Sequence, residues 1–153
     1  MKKILSVILG IVMVLSLCSC ASSKYEEATE LMARGDYISA KQILIEIIDY
    51  ENSEELLAEC EDKITVKKLL GNWSEKGEKN DPVRLYARFN EDGTYEQGIT
   101  LGSDEAEPFI INSGSFTVKN GIIYCGSNMK WELDSSNNLI VSDESGRIIY
   151  EHD

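Results

Sequence analysis

Three hydrophobic patterns follow one another along the chain. The first is a continuous apolar run, Ile4 to Leu17, uncharged and preceded by Lys2 and Lys3. At roughly 14 residues it has the length of a signal-peptide core. It falls short of the ~20 apolar residues that a membrane-spanning helix needs. The second pattern, from Ser22 to about Leu70, repeats at intervals of three and four. Ala28, Leu31 and Met32 mark one short helix, which Gly35-Asp36 interrupts. Ile38, Ile43, Leu44, Ile47 and Ile48 mark a second with a broad apolar face, and Leu56, Leu57, Cys60 and Ile64 a third. Asn52, with Glu55 three residues later, has the spacing of a capping box at the start of the third helix.

From Gly71 onward the period drops to two. Val83, Leu85, Ala87 and Phe89 alternate with Arg84, Tyr86 and Arg88, the pattern of a half-buried strand. Turn signals at Asn90-Glu91-Asp92-Gly93, Asn120-Gly121, Ser135 to Asn138 and Glu144 to Gly146 separate further short runs. These are Tyr95 to Leu101 (with Gln97 an odd polar member), Phe116 to Val118, Ile122 to Cys125, Met129 to Leu133, Leu139 to Val141 and Ile148 to Tyr150. About seven or eight short antiparallel strands in sequence predict a meander that closes, or nearly closes, into a small barrel. Closure also removes exposed edges. The expected fold class is α+β: a signal segment at 1–19, a tether at 20–24, about three helices over 25–70 and a small antiparallel barrel over 71–153.

The tetrad Leu17-Cys18-Ser19-Cys20 resembles the bacterial lipobox, departing from it only in the cysteine at the tolerant second position. The resemblance implies cleavage between Ser19 and Cys20, diacylglycerol on the Cys20 thiol, and palmitate-type acyl chains as the anchor. One chain binds a membrane marginally and two anchor stably. The protein is then expected at the cell membrane, lipid-anchored on its extracytoplasmic face. The competing reading is an ordinary secretory signal with incidental cysteines.

Gly35-Asp36-Tyr37 followed by Ala40 and Leu44, with Ala28 and Leu31 before them, resembles one tetratricopeptide repeat. Lys24, Glu27 and Asn52 depart from that pattern. Stable arrays use three or more repeats, and a plain three-helix hairpin fits the same residues. Either reading makes this segment an interaction or spacer module. The second half is similar to bacterial lipocalin-like domains at Gly71-Asn72-Trp73, Phe89 to Tyr95, Gly114-Ser115-Phe116 and Leu139 to Tyr150. That resemblance implies a barrel whose end Trp73 closes, with Arg147 packing over it. The strands are short, and an eight-stranded barrel is readily filled by its own side chains. Trp73, Phe89, Tyr95, Phe116 and Trp131 therefore have two readings: packed core, or the lining of a small apolar pocket.

Charge narrows the partners. The chain carries 15 Lys+Arg against 27 Asp+Glu; loss of Lys2 and Lys3 with the signal leaves about −14 on about 134 residues. Such acidity argues against nucleic acid and anionic lipid surfaces, both of which attract Lys and Arg. Asn90 to Gly93 and Asp134 to Asn138 lack the ligand spacing of a calcium loop and read as turns. Cys60 and Cys125 remain after Cys20 is lipidated, either bridged in an oxidising compartment or as two buried thiols. His152 is the only histidine, two residues from the chain end, where fraying is expected. No nucleophile elbow, phosphate loop or His/Cys metal cluster occurs in the sequence. No cofactor or metal is expected, and no enzyme activity. A non-enzymatic binding module at the cell envelope, with other envelope or extracellular proteins as partners, is the expected function. A small apolar ligand inside the barrel is the alternative. An envelope hydrolase would need carboxylates converging in a cleft.

Overall fold

Helices come first in the chain: α1 over residues 20–33, α2 over Tyr37–Glu46 and α3 over Ser53–Leu69. The structure, a computed structural model, describes residues 20–77, 81–101, 107–126, 129–143 and 146–153. The expected signal segment at 1–19, with Ser19 at its expected cleavage site, lies outside the described residues. Gly35-Asp36 does two jobs. Gly35 takes φ +77°, donating its N–H to the Met32 carbonyl at 2.9 Å, while Asp36 N–H reaches the Leu31 carbonyl at 2.9 Å. That pair of bonds is a Schellman ending for α1. The Asp36 carboxylate then accepts the Ser39 N–H at 3.2 Å and caps α2.

Ala28, Ala40, Leu44, Ile47 and Cys60 form the helical core. The apolar face of α2 is narrower than its sequence implied. Ile38 is 63% exposed and Ile48 38%, because α2 stops at Glu46 and only one stripe turns inward. The expected tether at 20–24 is already helical, and Ala21 packs against this core. The Asn52 side-chain oxygen accepts the Tyr25 hydroxyl, while the Asn52 carbonyl accepts the Leu56 N–H at 3.1 Å.

The eight strands are β1 Gly71–Glu75, β2 Val83–Phe89, β3 Thr94–Leu101, β4 Phe109–Lys119, β5 Ile122–Cys125, β6 Met129–Leu133, β7 Leu139–Asp143 and β8 Gly146–His152. Each pairs antiparallel with the next, and β8 closes on β1 with Trp73 opposite His152. The strand-rich half is thus a closed meander barrel. His152, at a position where fraying is expected, ends β8 paired with Trp73.

Two compact units divide within α3, between Glu61 and Asp62. Strands begin at Gly71 as the sequence implied, but the barrel unit starts earlier. Leu69 is fully buried in the barrel core, Val66 and Leu70 pack against it, and Leu69 offers its carbonyl to the Trp73 indole N–H at 2.7 Å.

Candidate functional site

Antiparallel register assigns each strand residue to the inside or outside of the barrel. The turns at 90–93, 120–121 and 134–138 lie at the end that the last turns of α3 cover. There the Asp62 carboxylate accepts the Gly121 N–H at 3.0 Å and Lys68 donates to Asn137 Oδ1 at 3.1 Å.

The interior near this end is filled. Trp73, Phe89, Tyr95 and Trp131 are each 1% exposed, and Phe116 7%. Phe89 is the hub, its ring centroid lying 6.3 Å from Tyr95, 5.2 Å from Phe116 and 5.7 Å from Trp131. The aromatic set is therefore packed core in this half, the edge-to-face and offset contacts being those aromatic rings prefer. Trp73 does sit at the α3 end. The group over it is not Arg147, which pairs with Ser142 near the start of β8. His152 takes that place, its ring edge-on to Trp73 at 4.8 Å with Nε2 3.0 Å from the Leu70 carbonyl.

Towards the opposite end the inner face changes character. Leu85, Ile99, Met129, Val141 and Ile148 are only partly buried. Val83, Leu101 and Phe109, neighbours on β2, β3 and β4, are 50%, 56% and 66% exposed. A bulge opposite Gln97 and Gly98 leaves Ile111 without a partner on β3 and facing solvent. Glycine is required at 98: a Cβ there would lie 2.1 Å from the Phe109 carbonyl oxygen.

Polar groups punctuate this apolar wall. Glu75, Gln97 and Asn112 share the inward register. Glu75 Oε2 accepts the Leu85 N–H at 3.3 Å. Tyr150, opposite Glu75 on β8 and fully buried, stacks on Trp131 at 5.6 Å. Burial pushes the Tyr150 phenol above its ordinary pKa; a hydrogen bond with the Gln97 side chain opposes this, and the Glu75 carboxylate adds to it. The Trp131 indole N–H has no hydrogen-bond partner among the described residues. Cys125, also in the core, has its thiol pushed up to about 12 by burial, and Cys60, buried in the helical unit, is raised for the same reason. Both are free thiols.

The half of the barrel opposite the α3 end is the candidate site: a partly buried apolar wall of Leu85, Ile99, Met129, Val141 and Ile148, with Glu75 and Gln97 on the same inward register. Among its residues the sequence marked only Gln97 as unusual. Strand parity places the others inward, but parity alone does not say how deeply each is buried. A second concavity of about 340 Å³ lies beside α3, lined in part by Asp62, Val66, Asn90, Glu91 and Phe116. Cys20 lies at the first described turn of α1 and is exposed. Among the described residues no group of three or more His, Cys, Asp or Glu is placed to hold a metal ion. No described helix is long and apolar enough to cross a membrane. No protein family model, curated protein or solved structure matches the chain.

Proposed function

We propose that this protein is a non-enzymatic binding protein, lipid-anchored through Cys20 on the extracytoplasmic face of a cell membrane. Its barrel takes up a small guest with an apolar body in the half opposite the α3 end. One observation carries the binding reading. Inward-facing Leu85, Ile99, Met129, Val141 and Ile148 are only partly buried, whereas Trp73, Phe89, Tyr95 and Trp131 are each 1% exposed. Partly solvated apolar walls with few polar groups are the ordinary make-up of small-molecule sites. The anchor rests on the short apolar run and the lipobox-like tetrad ending at Cys20.

Two measurements test the reading. A fluorescent naphthylamine probe should brighten on binding the protein, and Leu85→Glu should abolish the gain while leaving the far-ultraviolet dichroism intact. An unchanged signal in that variant would refute the barrel as the site. Labelled palmitate should enter the protein in a lipoprotein-competent bacterium and be lost in Cys20→Ala; label retained in the variant would remove the anchor.

A second reading, a protein partner, is favoured by the cluster of exposed Val83, Leu101, Phe109, Ile110 and Ile111 on adjacent strands. Exposed patches of this kind mark interaction surfaces. Its helical unit, repeat-like in sequence, would supply further surface. Crosslinking on intact cells should recover a partner that Phe109→Ser with Ile111→Ser no longer captures.

A further inference from the structure

We infer that the outer edge of β4, from Phe109 to Gly114, pairs with the same edge of a second copy of this chain, antiparallel about a twofold axis. The inference rests on the protein-partner reading of the exposed patch and names the partner and the mode of contact.

Strand length creates the edge. β4 has eleven residues, Phe109–Lys119, and β5 only four, Ile122–Cys125. β3 pairs with β4 from Phe109 to Ser115, whereas β5 pairs with it only from Phe116 to Lys119. On the β5 side the Ser115 carbonyl accepts the Gly126 N–H at 3.1 Å. The main-chain groups of Ser113, two residues on, point the same way by strand alternation. Asn112 Nδ2 approaches Met129 Sδ at 4.0 Å there, but no described strand pairs with β4 along that stretch. Phe109 to Ser113 are exposed one after another, where a strand with one covered face would alternate.

The other margin of the projecting β2–β3–β4 sheet is guarded. Beyond the last β1–β2 pair, Glu75 Oε2 takes the Leu85 N–H at 3.3 Å and the Glu75 carbonyl takes Arg84 Nη2 at 3.1 Å. Exposed edges are commonly blunted by charge or proline; Phe109-Ile110-Ile111-Asn112-Ser113-Gly114 contains neither. The bulge there turns Ile111 to solvent and so adds apolar surface to the edge. Charge then selects the occupant. A neutral edge offers no counter-ion to a charged peptide. A twofold contact sets a segment against itself, which is penalised where like charges meet. In a chain with 27 acidic residues, this neutral stretch lets two copies meet without opposing carboxylates. Each copy brings what the other needs: an unpaired strand edge flanked by apolar side chains.

The test is sedimentation equilibrium of the full chain in mild detergent over a range of concentrations. The wild type should form a dimer. Ser113→Pro removes an N–H that points off the edge and leaves the β3 ladder whole. Ile111→Lys changes a solvent-facing side chain, so the barrel keeps its fold, and sets like charges across the twofold axis. Each should weaken the dimer about tenfold or more. A mixture of Ile111→Lys and Ile111→Glu chains should associate again, because the charges then oppose. A monomer at every concentration, a dimer indifferent to both Ser113→Pro and Ile111→Lys, or a mixture that stays apart would overturn the twofold β4 contact. The patch reading would still stand if crosslinking on cells captured a different protein through Phe109 and Ile111. Absence of both the dimer and any captured protein would overturn the patch reading itself.

Discussion

His152 joins the chain's last strand to the end of its last helix. Its ring lies against Trp73, with Nε2 3.0 Å from the Leu70 carbonyl and Nδ1 3.0 Å from the Asp153 carbonyl. Both neighbours are acceptors, so only the doubly protonated ring donates to both. The hydrogen bond to Leu70, then that to Asp153, raises the His152 pKa, and burial opposes them. A folded-state pKa raised above the unfolded value of about 6.5 gives stability that is full below that pH and is lost as pH rises through the folded pKa. The thermal midpoint of the wild type should therefore fall relative to that of His152→Phe as pH goes from 5.5 to 8. An unchanged difference between the two would contradict the latch. Cysteine chemistry gives a second expectation at this scale. The Cys125 thiol, raised to about 12 by burial, should resist iodoacetamide at pH 8 in the native protein and react on unfolding, because the thiolate is the nucleophile. Alkylation of native Cys125, mapped by peptide mass, would mean that the core around it opens.

Individual elements show where local chemistry decides the fold. In β3, Gly98 sits at the bulge against the Phe109 carbonyl. Gly98→Ala should destabilise the barrel by about 1–3 kcal/mol, the range for forcing an atom into a packed site, read as a lower midpoint in urea. A neutral outcome would show that the bulge yields. Phe89, central to the aromatic cluster, should cost about 3–5 kcal/mol on truncation to Ala. The periodicities of the chain made these elements largely readable. Gly35-Asp36 announced the break between α1 and α2, and Asn120-Gly121 the β4–β5 hairpin, because special backbone conformations restrict residue choice. Strand alternation likewise placed Phe89 and Tyr95 inward. Tertiary facts were less visible. Tyr86 reads as a solvent-facing strand residue, yet it is 5% exposed. Arg88 lies over its ring at 5.6 Å, and its hydroxyl reaches Asn72 Oδ1 at 3.3 Å. Arg147 and His152 belong to the same strand, and only the β1–β8 register decides which of them meets Trp73. Parity cannot report which half of an interior is filled, so the aromatic residues drew attention while Glu75, Leu85 and Ile148 did not.

At the scale of the whole molecule, the chain joins a helical unit and a closed barrel. Each unit has its own core. The net charge of −12 favours solubility away from anionic surfaces, which fits the proposed attachment through lipid on Cys20. A guest that binds only the folded barrel stabilises it by mass action, about 2.7 kcal/mol at a hundredfold excess over the dissociation constant. The barrel's unfolding midpoint should therefore rise with guest concentration, whereas Leu85→Glu should show no such rise. The most direct test of the central claim is native mass spectrometry of the protein extracted from its own host. The account predicts a lipid-modified chain with an additional noncovalent small mass that is absent from Leu85→Glu. A chain that carries no such mass, or that carries it equally in the variant, would contradict a guest in the barrel.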